Sequence, residues 1–395
     1  MQKRARAVRW GVPIAAVAVV AAAAGTGPVI AAVQGEPSLP DRTAEQLLAD
    51  AARSSQTGKV PPMSGTVVET ASLGLPALPG VSSGGSSPLA LLSGSHQLKV
   101  WYGDAGRIRL MLPGEMSETD LIVNGGQAWL WDSAAGTATR LKTGEAGGPA
   151  TPTSLPTSLR SAGTPQQAAR DALKAAEGNT AISVDNDLTV AGRAAYQLVL
   201  TPKAAGSLVR DVRLALDGET LIPLRVQVYA KGATEPAFEV GFESVTFSPP
   251  APENFEFTPP PGAKVEDGAV SSPDKSQAET TAGKDVTAAG KAARVVGEGW
   301  ESVLVTPFPA AAAKGKDAGG AGDAGNVRGF EGADGAGAGA LLDAALKAAT
   351  PVSGTWGSGR LLRTKLVSAL VTDDGRLVAG AVTPDVLYRA AGAHS

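Results

Sequence analysis

The sequence predicts an α+β protein: one large antiparallel sheet with helices on one side of it, and a small α/β extension at the C-terminus. Three observations predict it. Short apolar–polar alternations recur between Thr66 and Phe247, separated by tight-turn residues. Two helix signals, one at the start and one in the middle, interrupt them. Beyond residue 295 a shorter strand pattern returns and closes on a capped helix. The 395 residues include 49 Gly and 28 Pro, well above ordinary usage, so many turns and some unstructured sequence are expected.

Taken in order, the first helix starts at Asp41 or Thr43. Thr43-Ala44-Glu45-Gln46 fits a capping box, and Ala44, Leu47, Leu48, Ala51 and Ala52 follow the helical stripe. After Pro61-Pro62 the period becomes two. Strands are expected at Thr66–Ala71, His96–Tyr102 and Arg107–Leu112. Leu121–Val123 and Ala128–Asp132 flank Asn124-Gly125, a dipeptide suited to the primed hairpin turns that match strand twist. Thr137–Leu141 follows. Thr164-Pro165-Gln166-Gln167 signals the second helix, which ends at Gly178. Strands resume at Ile182–Val184, Asp187–Val190, Ala194–Pro202, Val212–Leu216, Pro223–Tyr229, Phe238–Phe242 and Val245–Phe247. Consecutive short strands with hairpin turns argue an antiparallel meander of about ten or eleven strands.

Glu266–Lys291 is rich in charged and small polar residues and is expected as a linker. Gly299–Phe308 returns to strand pattern. Residues 309–340 are almost all Ala, Gly, Asp and Lys, a low-complexity insertion with too little apolar surface to order itself. Leu341–Ala349 is a short helix candidate. Arg363–Thr372 and Arg376–Thr383 form a hairpin across Asp373-Asp374-Gly375. Pro384–Ala391 is a closing helix, with Thr383 as its cap.

The N-terminus reads as an export signal. Lys3, Arg4, Arg6 and Arg9 precede an uncharged run of 24 residues, Trp10 to Val33. Residues 1–33 are therefore a signal peptide, cut near Ala31 or Ala32, or a signal anchor long enough to span a bilayer. In both readings the rest of the chain is extracytoplasmic, anchored or released. Residues 1–32 hold four of the 35 basic residues and none of the 38 acidic ones. The exported part carries 31 basic against 38 acidic residues, net −7, a poor surface for nucleic acid.

Composition also excludes chemistry. There is no Cys, so disulfides, thiol nucleophiles and Cys-ligated metals are absent. The two His, His96 and His394, leave no credible Ser-His-Asp triad or His metal site. Gly80–Gly84 matches G-x-S-x-G but no strand precedes it. Gly320–Gly325 matches G-x-G-x-x-G inside the Gly/Ala tract, where composition alone produces it. Asp373-Asp374 is expected as a turn. Glu69, Asp120 and Asp132 are carboxylates that nothing pairs. No catalysis, no metal and no cofactor are expected.

The stretches SGTVVETASLGLP (64–76), LIVNGGQAWLWD (121–132), AGRAAYQLVLTPK (191–203), IPLRVQVY (222–229) and FEVGFESVTFSPPAPENFEFTPPPGAKV (238–265) carry a resemblance. Together they resemble the LolA-like superfamily of envelope lipoprotein carriers, and in particular actinobacterial LolA-type exported proteins. GWESVLVT (299–306) and LVSALVTDDGRLVAGAVTPDVL (366–387) are similar to the C-terminal extension of those proteins. The resemblance implies a half-open β-barrel of about eleven strands with a helical lid over residues 41–265. A linker at 266–297 and an extension at 298–391 follow. It implies an apolar cavity that takes lipid or lipoprotein acyl chains, a site that needs shape and apolar lining and no catalytic side chains. The candidate lining is Trp101, Leu110, Trp129, Trp131, Leu198, Leu214, Val226 and Phe242. The three tryptophans are equally readable as ordinary sheet core. The stretch Leu73–Leu92 is apolar yet full of Pro, Gly and Ser. It reads as a flexible flap carrying Leu73, Leu75, Leu78, Val81, Leu89 and Leu91, or as a long hairpin connection. The expected partners are acyl chains and the cytoplasmic membrane surface. A related branch of the fold implies an alternative, an envelope-stress regulator that senses lipids or lipoproteins and holds a membrane protein.

Overall fold

The computed structural model describes residues 39–56, 60–74, 93–104, 106–142, 174, 176–269, 293–308 and 345–393. The segment 1–33, residues 75–92 of the expected flap, most of the second helix, the insertion 309–340 and both glycine motifs lie outside the described residues.

The capping box forms as its residues demand. In α1 (Ala44–Gln56) the Gln46 backbone N–H donates to Thr43 Oγ1 at 3.2 Å. The Thr43 N–H donates to Gln46 Oε1 at 2.9 Å. The helix then buries Leu47 against Tyr196, Leu198 and Leu216.

Eleven strands follow in chain order: β1 (Met63–Ser72), β2 (Ser93–Asp104), β3 (Arg107–Pro113), β4 (Glu118–Asn124), β5 (Gln127–Asp132), β6 (Thr137–Lys142), β7 (Thr180–Val190), β8 (Arg193–Pro202), β9 (Val209–Asp217), β10 (Pro223–Ala230) and β11 (Phe238–Thr246). The two pairs of short strands expected at 182–190 and 238–247 are each one strand. Each contains a register shift, at Asp185/Leu188 in β7 and opposite Thr66/Val67 in β11. An extra residue breaks the alternation without ending the strand, which is why the pattern reads as two. At the second shift Gly65 is required by contact: a Cβ there would lie 2.0 Å from Ser244 O.

A twelfth strand, β12 (Lys264–Ala269), completes the sheet. Its order is β12-β6-β5-β4-β3-β2-β1-β11-β10-β9-β8-β7. All neighbours are antiparallel except β12 and β6, which are parallel. The expected linker therefore begins later than Glu266, because Glu266–Ala269 pair with Thr139–Lys142. β11 lies beside β1 and β12 lies beyond β6, so residues 247–263 cross one whole sheet face between them. That crossing explains the run Pro259-Pro260-Pro261: prolines lack the N–H a ladder needs but suit an extended cover.

The C-terminal unit is a second sheet: β13 (Arg294–Val296), β14 (Val303–Pro307), β15 (Thr350–Gly354), β16 (Gly357–Arg363), β17 (Ser368–Thr372) and β18 (Arg376–Gly380). Its order is β13-β14-β18-β17-β16-β15. The β17–β18 hairpin turns at Asp373-Asp374 as expected. The β15–β16 hairpin was hidden by Pro351 and by glycines 354, 357 and 359, which leave too few side chains to show alternation. The helix α2 (Pro384–Gly392) packs Val386, Leu387, Ala390 and Ala391 onto Val303, Leu370 and Val378. Thr383 occupies its cap position, but its side chain makes no capping bond.

This unit docks on the large sheet. Trp300 Nε1 donates to Thr180 Oγ1 at 2.8 Å. Backbone bonds run from Leu208 N to Ala381 O, from Thr383 N to Gly206 O and from Lys365 N to Leu73 O. Trp300 and Leu366 share one apolar cluster with Val209, Val212, Val226 and Leu73.

Candidate functional site

Register assigns every strand residue to one of two sheet faces. Leu198 pairs with Leu214, Leu214 with Val226, and Val226 with Val240. Val67 pairs with Phe242 and Leu98, and Val100 with Leu110. These residues share the first face. α1 covers it at β7–β9, and the C-terminal unit covers it around Val212, Val228 and Phe238. Trp101 pairs with Arg109, Arg109 with Ile122, Ile122 with Trp129, and Asp120 with Trp131. The three tryptophans are on the opposite face.

The eight candidate lining residues thus do not share one surface. Alternate positions of a strand point to opposite sides, and Trp101 follows Val100 directly. Trp129 and Trp131 belong to a separate core with Ile122, Ala138, Phe257 and Ala263, while Trp101 is half-buried outside it. Phe257 lies tilted against Trp129 and Trp131, with ring centroids 5.7 and 6.0 Å away. Arg109 sits over Trp101 and Arg140 over Trp129 at 5.4 and 4.9 Å. Arg109 also pairs through Nε and Nη2, each at 3.1 Å, with the buried carboxylate of Asp120. Phe257 opens the FTPPPGAKV stretch, so the crossover serves as the lid of this second face. Truncating Phe257 to Ala is expected to destabilise by about 1–3 kcal/mol and shift tryptophan emission to the red as water reaches Trp129 and Trp131. Unchanged emission would show that the crossover does not seal them.

On the first face, Leu198, Val226 and Phe242 are already buried by the chain itself. Leu110 is not. It belongs to a row running Val100, Leu110, Leu121, Leu130 across β2–β5. A second row runs Tyr102, Ile108, Val123, Ala128, Leu141 across β2–β6. Leu110, Leu121, Ile108 and Leu141 are half-buried and Leu130 is 39% exposed. Five strands therefore carry a contiguous apolar floor whose outer part no described residue fills. A floor of this kind holds an apolar chain by burial and shape, with no reacting group.

Two clefts lie elsewhere. One of about 330 Å³ is lined by Thr43, Ala44, Glu45, Glu177, Thr180 and Ile182, and one of about 200 Å³ by Val68, Thr70, Arg225, Glu239, Phe242 and Glu243. Both mix charged and apolar side chains. Among the described residues no group of three or more His, Asp or Glu is placed to hold a metal, and no helix is long and apolar enough to cross a membrane.

No family model and no curated protein matches the chain. Solved structures do. MucB in complex with MucA from Pseudomonas aeruginosa is 12% identical over 88% of this chain and 96% of that one, with a TM-score of 0.38. A LolA superfamily protein from Nitrosomonas europaea is 12% identical over 55% of this chain and 99% of that one, with a TM-score of 0.20. An outer membrane lipoprotein-sorting protein domain from Vibrio parahaemolyticus is 11% identical over 54% and 97%, with a TM-score of 0.21. The structural neighbours are LolA-superfamily proteins and MucB. The chain itself forms one large open sheet of twelve strands and a second sheet of six, the mostly antiparallel architecture with a C-terminal extension that the sequence predicted.

The large sheet brings together residues the sequence did not single out. Ile108, Leu121, Leu130 and Leu141 join Leu110 only through register across hairpins. The signal was present in the alternation of β3 but could not say which phase was covered. Leu73, expected in the flap, is anchored at the joint between the two sheets, and Leu75, Leu78, Val81, Leu89 and Leu91 lie outside the described residues. Also on the first face, Glu69 of β1 lies opposite His96 of β2 and Val240 of β11. Both are buried, Glu69 at 6% exposure. His96 Nε2 is 3.0 Å from Ser93 O. Burial pushes the Glu69 carboxyl up to about 7, and His96 partly opposes that rise.

Proposed function

We propose that the protein is an exported, membrane-proximal carrier or chaperone that binds lipid or lipoprotein acyl chains on the first face of the large sheet, without catalysis. The observation that supports this most is the open apolar floor from Leu110 to Leu130. A ligand covering it recovers about 1.5–3 kcal/mol per fully buried leucine. Export is supported by Lys3, Arg4, Arg6 and Arg9 ahead of the uncharged run to Val33.

A second reading, an envelope regulator that senses lipid and holds a membrane protein, draws on one observation. The C-terminal unit takes up part of the same face that a simple carrier would leave for cargo.

The test is mass spectrometry of an organic extract from protein purified without detergent after export. The expected result is a lipid or acylated peptide near one equivalent. In the double variant Leu121→Asp, Leu130→Asp that equivalent is lost, and affinity for a fluorescent acyl probe falls at least about tenfold. Both side chains are at least partly exposed, so the fold survives. A blank extract with a co-purifying membrane protein would favour the regulator. Undiminished lipid in the double variant would remove the floor as the site.

A further inference from the structure

Glu69 is a buried carboxyl whose two oxygens have no hydrogen-bond partner among the described residues. Interior polar groups nearly always have partners, and leaving one without is strongly unfavourable. Register puts Glu69 on the first face, in line along β1 with Val67 and beside Leu98, which lead through Val100 to Leu110 and the open floor. The group is thus an acceptor at the inner end of an apolar track.

Resting on the acyl-binding reading, we propose that Glu69 receives the polar end of the ligand and that this end is a protonated amine beside the acyl chain. An ammonium supplies donors to both oxygens and the opposite charge at once. A carboxylate or phosphate head would instead meet a like charge.

Among the described residues none hydrogen-bonds the Glu69 oxygens, while His96 acts on them electrostatically. On its own strand Val67 and Ala71 share its face, and Val240 flanks it on β11. Opposite it on β2 stands His96, the one titratable group that register brings against it. Arg225 of β10 and Glu239 of β11 occupy the other face, and Gln227 Nε2 donates to Glu239 Oε2. Lys365 of the C-terminal unit donates through Nζ to Ser72 Oγ, on the other face of β1. The carboxyl's ordinary value is displaced upward to about 7 by burial. A bound ammonium favours the ionised form, so amine affinity rises as pH rises through that value.

The experiment uses lipid-stripped exported protein and three probes of one chain length: dodecylamine, dodecanol and dodecanoic acid, each displacing a fluorescent apolar reporter. At about pH 8 dodecylamine is expected to bind at least about tenfold tighter than the other two. In Glu69→Gln the preference vanishes while dodecanol affinity is kept, which also reports that the variant is folded. Independently of any variant, the wild-type preference shrinks at about pH 5.5, where the carboxyl is protonated. Equal binding of the three probes, or a preference that survives in Glu69→Gln, overturns the headgroup inference and leaves chain binding standing. Failure of all three probes to bind overturns the acyl-binding reading and this inference with it.

Discussion

Replacing Asp217 by alanine is expected to lower stability by about 3–5 kcal/mol, the largest effect of any single change considered. Asp217 ends β9 and is fully buried. It accepts from Arg193 Nε, from Arg193 Nη2 at 3.1 Å, and from the Glu219 N, Thr220 N and Thr220 Oγ1 groups at 3.2, 2.8 and 2.8 Å. One carboxylate thus ties the start of β8 to the β9–β10 turn. Arg193 lies in turn over the Phe247 ring at 4.8 Å. Alanine removes the shared acceptor of five donors at a buried position, leaving part-buried Arg193 with Glu219 as its remaining carboxylate. Burial by itself would raise this carboxyl, but the bonds from Arg193 and Thr220 outweigh it and hold it below the usual carboxylate range. A depressed carboxyl stabilises the fold above its unfolded pKa and loses that contribution as pH falls through the folded one. The wild type should therefore lose stability in acid, and Asp217→Ala should lose less. Urea unfolding at neutral pH and in acid checks both. A change under about 1 kcal/mol at neutral pH would show that the network holds nothing.

Glu69→Gln is expected to act in the opposite direction. A carboxyl raised from 4.5 to about 7 binds its proton more tightly in the folded state. Between those values the folded protein holds the proton and the unfolded chain does not, so stability falls as pH rises through the window. The loss amounts to about 3 kcal/mol by pH 8. Glutamine has the same shape and does not titrate. The lipid-stripped variant should match the wild type near pH 5 and exceed it by up to about 3 kcal/mol near pH 8. Parallel stability profiles for the two proteins between those limits would sink the assignment. A native site that becomes more stable when its charge is removed is being kept for something other than stability, which fits a ligand contact.

Much of the fold was legible because it is written in local chemistry. Thr43 and Gln46 cap each other within three residues. The hairpin between β4 and β5 turns at Gly125-Gly126, beside the Asn-Gly signal, with Gly125 at φ +60°. Alternation in β3, β8 and β10 reported strands because a strand has a fixed two-residue period. The bulged strands and the glycine-rich β15–β16 hairpin were less legible, since a bulge resets the phase and glycine carries none.

The site was less visible still. Period two divides a strand's residues into two sets but does not say which set is covered, and by what. Trp101, Trp129 and Trp131 drew attention as large side chains, yet all three lie on the face opposite Leu110, and the Pro-rich crossover from β11 to β12 closes over Trp129 and Trp131. Leu110 and Leu130 look no different in sequence from Leu198, which α1 buries.

The sequence by itself determined the class of this protein: strand-rich, without cysteine, with a basic and then uncharged apolar N-terminus. Tertiary structure decided the rest. It left Leu130 partly exposed while covering Leu198, set the Glu69 carboxyl on the same face with no hydrogen-bond partner among the described residues, and docked the C-terminal unit through Trp300 and Thr180, 120 residues apart. The physical reason is range. Caps, turns and alternation are contacts within a few residues, whereas burial depends on which distant segment happens to lie on top.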